Sequence, residues 1–172
     1  MKVLIGIFVA ISLTTTFASA PALILTDLIS QNKIQEARTA SLVNSSLFLN
    51  VTSHSGFFNV DKKYNSNMFF WYFPVANKPV NETPWIIWLQ GGPGASSLAG
   101  LFDEMGPFEY DSELRLRQWS WTKEYSMLFI DNPVGSGYSF TDHDDGFIKD
   151  MDTCANHLYS TILQFLTVFT EL

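Results

Sequence analysis

The apolar and polar positions divide the chain into several strands and one long helix. Two aromatic runs, residues 55–60 and 67–75, flank a short polar stretch, which is typical of a β-hairpin. Two continuous apolar runs, residues 85–89 and 126–130, lack the alternation of a half-exposed strand. Continuous apolar runs of this length favour interior strands that are covered on both faces. The pattern therefore predicts a sheet made of a hairpin and two buried strands.

Helices are predicted on either side of these strands. The last segment has apolar residues at helical spacing, namely Leu158, Ile162, Phe165, Leu166 and Phe169. Asp150 and Asp152 lie near its start, where the helix dipole favours negative charge. A short helix or turn is expected over residues 95–105, and one helical turn around Ile34. Together these elements predict the opening part of an α/β sheet, with parallel strands and crossover helices, that is incomplete by itself.

The first twenty residues have the pattern of a secretory signal peptide. A basic start at Lys2 precedes an apolar run shorter than the roughly 20 residues that span a bilayer, and small residues follow at 18–20. We expect cleavage near residues 18–20, with an uncleaved N-terminal anchor as the alternative. Residues 21–172 contain no repeat and no linker, so they are expected to belong to one domain.

Three N-x-[ST] acceptor sequences begin at Asn44, Asn50 and Asn81. In a secreted chain such asparagines can carry glycans, which would place them on the surface. They are candidate glycosylation sites of a protein that enters the secretory pathway.

Composition excludes several classes of function. The formal net charge is −7, and basic clusters are lacking, so nucleic acid and membrane surfaces are poor partners. The single cysteine, Cys154, has no partner for an internal disulfide, and the three histidines show no zinc-binding spacing. The acidic residues around Asp144 lack the spacing of a calcium loop, which favours a solvated turn. We expect no metal and no cofactor.

One loop has residues that would let its backbone N–H groups bind a ligand. Gln90, Gly91, Gly92, Pro93 and Gly94 come directly after a predicted buried strand, where α/β proteins bind ligands. Adjacent glycines let backbone N–H groups approach a ligand without a Cβ in the way, and the proline stiffens the turn. This suits an oxyanion hole. A phosphate loop would need a following Lys-Ser or Lys-Thr, and a dinucleotide loop a different glycine spacing.

Several motifs together resemble the serine carboxypeptidase family, most of all its vitellogenic-carboxypeptidase-like members. They are WLQGGPGASSLAGLFDEMGPF at 88–108, QWSWT at 118–122 and SMLFIDNPVGSGYSFT at 126–141. The resemblance covers nearly the whole chain after the signal peptide. It implies the N-terminal portion of an α/β-hydrolase fold and a serine-type carboxypeptidase. Such an enzyme releases C-terminal residues through an acyl-enzyme, from peptides with a free C-terminal carboxylate.

The resemblance also implies roles for individual residues. Gln90 and Gly91 would bind the carboxylate of the substrate, and Gly92 would supply an oxyanion-hole amide. Glu104 matches a buried glutamate that belongs to the carboxylate-binding network. Many members have Asn where this chain has Gln90, and many have Cys where it has Ala95. The glutamine can still donate a hydrogen bond, although its reach differs.

The catalytic triad of the family has no counterpart in this sequence. The family nucleophile lies in a G-x-S-x-G elbow, and no such motif occurs in the 172 residues. Ser96 and Ser97 lie outside any elbow and fit capping or packing roles. The chain is thus expected to be an inactive fragment that ends before the elbow. The alternatives are a serine-carboxypeptidase-like acyltransferase and a non-catalytic secreted remnant or binding protein. The expected location is extracellular, lysosomal or vacuolar, and the sequence gives no indication of oligomeric state.

Overall fold

A computed structural model describes residues 21–172, so the predicted signal peptide lies outside the described part of the chain. In chain order the strands are β1 (His54–Asp61), β2 (Ser66–Phe73), β3 (Trp85–Trp88), β4 (Phe108–Asp111), β5 (Glu113–Leu116) and β6 (Ser126–Ile130). The α-helices are α1 (Leu25–Ser30), α2 (Ile34–Ala40) and α3 (Met151–Val168). A short π-helix (Gly100–Glu104) lies between β3 and β4.

The main sheet is mixed and has the spatial order β1, β2, β6, β3. β1 and β2 form the predicted antiparallel hairpin, in which Phe58 lies opposite Met68. β6 runs antiparallel to β2 and parallel to β3. The hairpin, the strand at residues 126–130 and the long final helix were all correctly predicted. α2 extends the single turn predicted around Ile34, and α1 was not predicted.

The prediction that β3 is an interior strand is wrong for the described residues. β6 inserts between β2 and β3, so β3 is the edge strand of the sheet formed by residues 21–172. All four of its residues are only half-buried, whereas all five residues of β6 are buried. The continuous apolar run correctly indicated a strand, but the covered position belongs to β6.

Aromatic side chains fill the space between the sheet and α3. The Phe58 and Phe70 rings stack across the hairpin with centroids 4.8 Å apart. Phe165 of α3 and Phe169, which directly follows α3, lie edge-on to Phe70. All four side chains are fully buried. Burying a side chain of this size contributes about 1.5–3 kcal/mol, so this layer is a main source of stability.

The opposite face of β2 carries a second aromatic layer. Phe69, Trp71 and Phe73 pack there against a cluster that includes Leu101 and Phe108. Since both faces are covered, every residue of β2 is buried. Leu101 belongs to the segment predicted as a short helix or turn, which forms the π-helix. Phe108 begins β4, the first strand of a hairpin that was not predicted.

The β4–β5 hairpin is tied to the π-helix by one arginine. The Arg117 guanidinium donates hydrogen bonds from Nη2 to the carbonyl oxygens of Phe102 and Phe108. Apart from Phe108, most side chains of the hairpin are exposed, including Glu113 and Arg115. The hairpin therefore depends on backbone pairing and on Arg117 more than on apolar burial.

Polar contacts fix the start and the end of α3. Asp150 caps its N-terminus by accepting a 2.7 Å hydrogen bond from the Thr153 amide at Oδ1. Beyond its C-terminus, Glu171 accepts two hydrogen bonds from the Arg38 guanidinium of α2. α3 is thus connected to the N-terminal helices as well as to the sheet. Among residues 21–172 no helix is long and apolar enough to cross a membrane.

Candidate functional site

The glycine loop, defined as residues 90–95, follows β3 at the carboxyl end of the parallel β3–β6 pair. Gly92 and Gly94 have φ angles of 131° and 114°, a region that only glycine adopts readily. A Cβ on Gly91 would meet nothing within 4 Å. Residues 91–95 are exposed, and no acceptor within the described chain pairs with the Gly91 and Gly92 amides. The loop therefore presents free N–H groups where α/β proteins bind ligands.

Hydrogen bonds fix the orientation of the Gln90 side chain. The Trp88 indole donates from Nε1 to Gln90 Oε1 over 2.9 Å. Gln90 Nε2 donates to Glu104 Oε1 over 3.1 Å. Because an indole can only donate, the amide oxygen must face Trp88 and the NH₂ group must face Glu104. The structure thus brings together Gln90 and Glu104, which are 14 residues apart in the sequence.

Glu104 is exposed, so the expectation that it is buried is wrong for the described residues. It is the last residue of the π-helix, and its side chain contacts that of Gln90, which follows β3. Within residues 21–172 only the side-chain amide of Gln90 donates a hydrogen bond to the Glu104 carboxylate. The carboxylate is therefore accessible to solvent and to a ligand.

Trp88 is held in place by the π-helix. A Cβ on Gly100 would lie 2.3 Å from Trp88 Nε1, so the indole packs directly on the glycine backbone. Trp88 also contacts the second aromatic layer. It supports the site by packing and by orienting Gln90.

Ser96 and Ser97 have the structural roles that the sequence favoured. The Ser96 hydroxyl and the Ser97 amide both donate to Oδ1 of Asp131, over 2.8 and 2.7 Å. The Ser97 hydroxyl donates to the Ile130 carbonyl oxygen and accepts a hydrogen bond from the backbone N–H of Gln90. Asp131 was not singled out from the sequence. Its position immediately after a buried strand was the available signal.

The histidines of the described chain lie away from these serines. His54 Nδ1 is 2.9 Å from the Ser41 hydroxyl, but both residues are buried and Ser41 Oγ donates to the Arg38 carbonyl oxygen. Ser41 is therefore a structural residue and not a nucleophile. Burial lowers the pKa of His54, and nearby Arg38 lowers that pKa further. No histidine within residues 21–172 bonds to Ser96 or Ser97.

The remaining candidates lie at the surface. The glycosylation candidates Asn44, Asn50 and Asn81 are all exposed. Asp142, Asp144 and Asp145 are exposed in a turn, where Asp145 pairs with Lys149. Among the described residues no group of three or more His, Cys, Asp or Glu side chains could hold a metal ion.

The family model described as "Serine carboxypeptidase" matches residues 44–172. The human "Probable serine carboxypeptidase CPVL" is 45% identical over 168 residues, which are 96% of this chain and 35% of the relative. The "Vitellogenic carboxypeptidase" of Aedes aegypti is 45% identical over 156 residues, 90% of this chain and 33% of the relative. The chain spans about a third of the length of these curated relatives.

A solved structure gives the same result for the fold. Kex1Δp, a prohormone-processing carboxypeptidase from Saccharomyces cerevisiae, superposes with a TM-score of 0.63 at 31% sequence identity. The match covers 70% of this chain and 29% of Kex1Δp. The likeness confirms the predicted α/β-hydrolase fold, of which this chain contains an N-terminal portion.

Proposed function

Because the chain belongs to the serine carboxypeptidase family, we propose that its glycine loop and Glu104 form part of an exopeptidase site. This part binds the C-terminal carboxylate of a peptide and the oxyanion formed during acyl transfer. The observation that carries the proposal is the hydrogen-bonded series Trp88, Gln90, Glu104 beside the free amides of the loop.

The donors suit a carboxylate ligand. One N–H of Gln90 is bonded to Glu104, and its second N–H is free to donate together with the Gly91 amide. Glu104 accepts from Gln90 and so directs one N–H of that side chain away from the substrate carboxylate. A side chain with its own N–H at position 104 should therefore bind the free acid more tightly.

Gly92 has the proposed role of an oxyanion donor. Its positive φ and exposed backbone allow the amide to point at a reacting carbonyl, and preorganised donors of this kind stabilise tetrahedral intermediates. The serine, aspartate and histidine of the triad would be supplied by residues outside positions 1–172, since no G-x-S-x-G occurs within them. Without a nucleophile and a base, an enzyme of this type loses about 10⁶ of its rate.

A location in the secretory pathway is part of the proposal, with the mature protein extracellular or lysosomal. The apolar N-terminal run and the exposed positions of Asn44, Asn50 and Asn81 support this location and glycosylation.

The proposed carboxylate site can be tested on the chain itself. An isotope-labelled sample would be titrated with an N-acetylated apolar dipeptide as the free acid and as the C-terminal amide. The acid should shift the Gly91 and Gly92 amide signals, and the amide should shift them much less. Gln90→Ala should weaken binding of the acid about five- to tenfold, because one hydrogen bond to a charged group is lost. Gln35→Ala, an exposed glutamine on α2, is the matched control and should change nothing.

Position 104 gives a second measurement in the same titration. Glu104→Gln keeps the length of the side chain and adds an N–H donor, so it should bind the acid more tightly than the unchanged chain does. Equal shifts with the acid and the amide, or shifts confined to other residues, would contradict the proposed site.

A further inference from the structure

Asp131 is a buried carboxylate that the proposed chemistry does not use. It directly follows β6 and is 1% exposed. No lysine, arginine or histidine within residues 21–172 forms an ion pair with it. Its two oxygens instead accept three hydrogen bonds, from the Ser96 hydroxyl and the Ser97 amide at Oδ1 and from the Tyr138 amide at Oδ2. A buried carboxyl group of this kind is tolerated because several donors replace its water.

One side of this network leads to the glycine loop. The backbone N–H of Ser97 donates a hydrogen bond to Asp131, and the Ser97 hydroxyl accepts a 3.0 Å hydrogen bond from the backbone N–H of Gln90. The same hydroxyl donates to the Ile130 carbonyl oxygen, so its lone pair has a fixed direction. Asp131 thus acts through Ser97 on the main chain of Gln90, which it does not touch.

The other side leads to the loop after β6, residues 132–139. A Cβ on Gly137 would lie 2.1 Å from Asp131 Oδ2, so that loop packs directly on the carboxylate. Within the loop, the Ser136 hydroxyl oxygen lies 4.0 Å from the position of a Cβ on Gly94. Ser136 is 3% exposed, and its hydroxyl has no partner in the described chain. The loop after β6 therefore forms a wall beside the glycine loop.

From these contacts we infer that Asp131 is a positioning residue that sets the geometry of the glycine loop through Ser97 and Gln90. A catalytic consequence of this positioning rests on the proposed function, whereas the contact network itself does not. Only a carboxylate satisfies all three donors. In Asp131→Asn the NH₂ group must face either the Tyr138 amide or the donors of Ser96 and Ser97. The substitution preserves volume, so it separates hydrogen bonding from packing.

The test is amide hydrogen exchange of the full chain with and without Asp131→Asn. Exchange at Gln90 should accelerate about tenfold, together with Ser97 and Tyr138, because the local network opens. The Phe70 and Phe165 amides in the aromatic core should change less than twofold. Unchanged exchange at Gln90, or equal acceleration in the core, would overturn the inference. The measurement needs no peptide, so it stands even where the titration described above fails.

Two further variants complete the experiment. Ser139→Ala removes a hydrogen bond to the Asp131 carbonyl oxygen and another from the Phe69 amide, but it leaves the carboxylate contacts intact and should leave Gln90 exchange unchanged. Ser96→Ala removes one of the two donors at Oδ1 and covers the case in which Asp131→Asn does not fold. It should accelerate exchange at Ser97 and Gln90 about threefold, and no acceleration there would also overturn the inference.

Discussion

β2 and the glycine loop are stabilised in different ways. All eight residues of β2 are buried between two aromatic layers. Residues 91–95 of the loop are exposed, and their position depends on hydrogen bonds that begin at Gln90 and Ser97. Apolar packing around β2 is shared among many side chains. The loop depends on a few directional contacts, so changing a single atom can alter it.

The largest expected effect comes from the core. Phe70→Ala removes a fully buried ring that contacts Phe58, Phe165 and Phe169. The cavity should lower the free energy of unfolding by about 3–5 kcal/mol. Trp119→Ala truncates an aromatic side chain that is 81% exposed, and its effect should stay within about 0.5 kcal/mol. Denaturant unfolding measures both free energies. Equal losses of stability in the two variants would contradict the expected difference between core and surface.

Substitutions at two glycines compare a packed position next to Trp88 with an open position in the glycine loop. Gly100→Ala places a methyl group against the Trp88 indole and should cost about 1–3 kcal/mol through overpacking. It should also change tryptophan fluorescence, because the Trp88 ring must move away from Gln90. Gly91→Ala is the matched control: it meets open space and should cost less than about 0.5 kcal/mol. A large loss of stability in Gly91→Ala would show that Gly91 does not lie in open space.

The smallest effect concerns pH. Burial lowers the pKa values of His54 and His157 from the ordinary 6.5. The unfolded chain then binds protons that the folded chain does not, so stability is lost as the pH falls below about 6.5. The melting temperature should be about 2–4 °C lower at pH 5 than at pH 7.5. Glu171, whose pKa lies below its ordinary 4.5 because Arg38 donates to it, should contribute only at lower pH.

Variants separate the two histidines in that measurement. His54→Gln should reduce the pH dependence of the melting temperature, and adding His157→Gln should nearly abolish it. An unchanged slope in the double variant would show that other groups cause the acid destabilisation.

Sequence patterns were sufficient for the elements with dense apolar side chains. The hairpin, β6 and α3 were found because their hydrophobic residues repeat at strand or helix spacing. The edge position of β3 was missed because strand order depends on pairing with β6, which is distant in sequence. The β4–β5 hairpin was missed although its residues alternate between apolar and polar, because each strand has only four residues and most of their side chains are exposed.

The site was accessible from sequence only in part. The resemblance to serine carboxypeptidases singled out Gln90 and Glu104, which the fold brings together. Their role in binding a carboxylate stays a prediction. The Trp88 contact that orients Gln90 and the contacts of Asp131 were missed. Such hydrogen bonds join particular atoms and leave no periodic trace in the sequence.

The insertion of β6 between β2 and β3 has a consequence for biosynthesis. The β1–β2 hairpin joins neighbouring segments and can form early, whereas β3 has no sheet partner until residues 126–130 have left the ribosome. Asp131 and Tyr138, whose contacts hold Ser97 and the loop after β6, are translated later still. A nascent chain that ends before them carries the glycine loop as sequence without the contacts that shape it. Such a chain also exposes the apolar β3, for which chaperones are the expected protection.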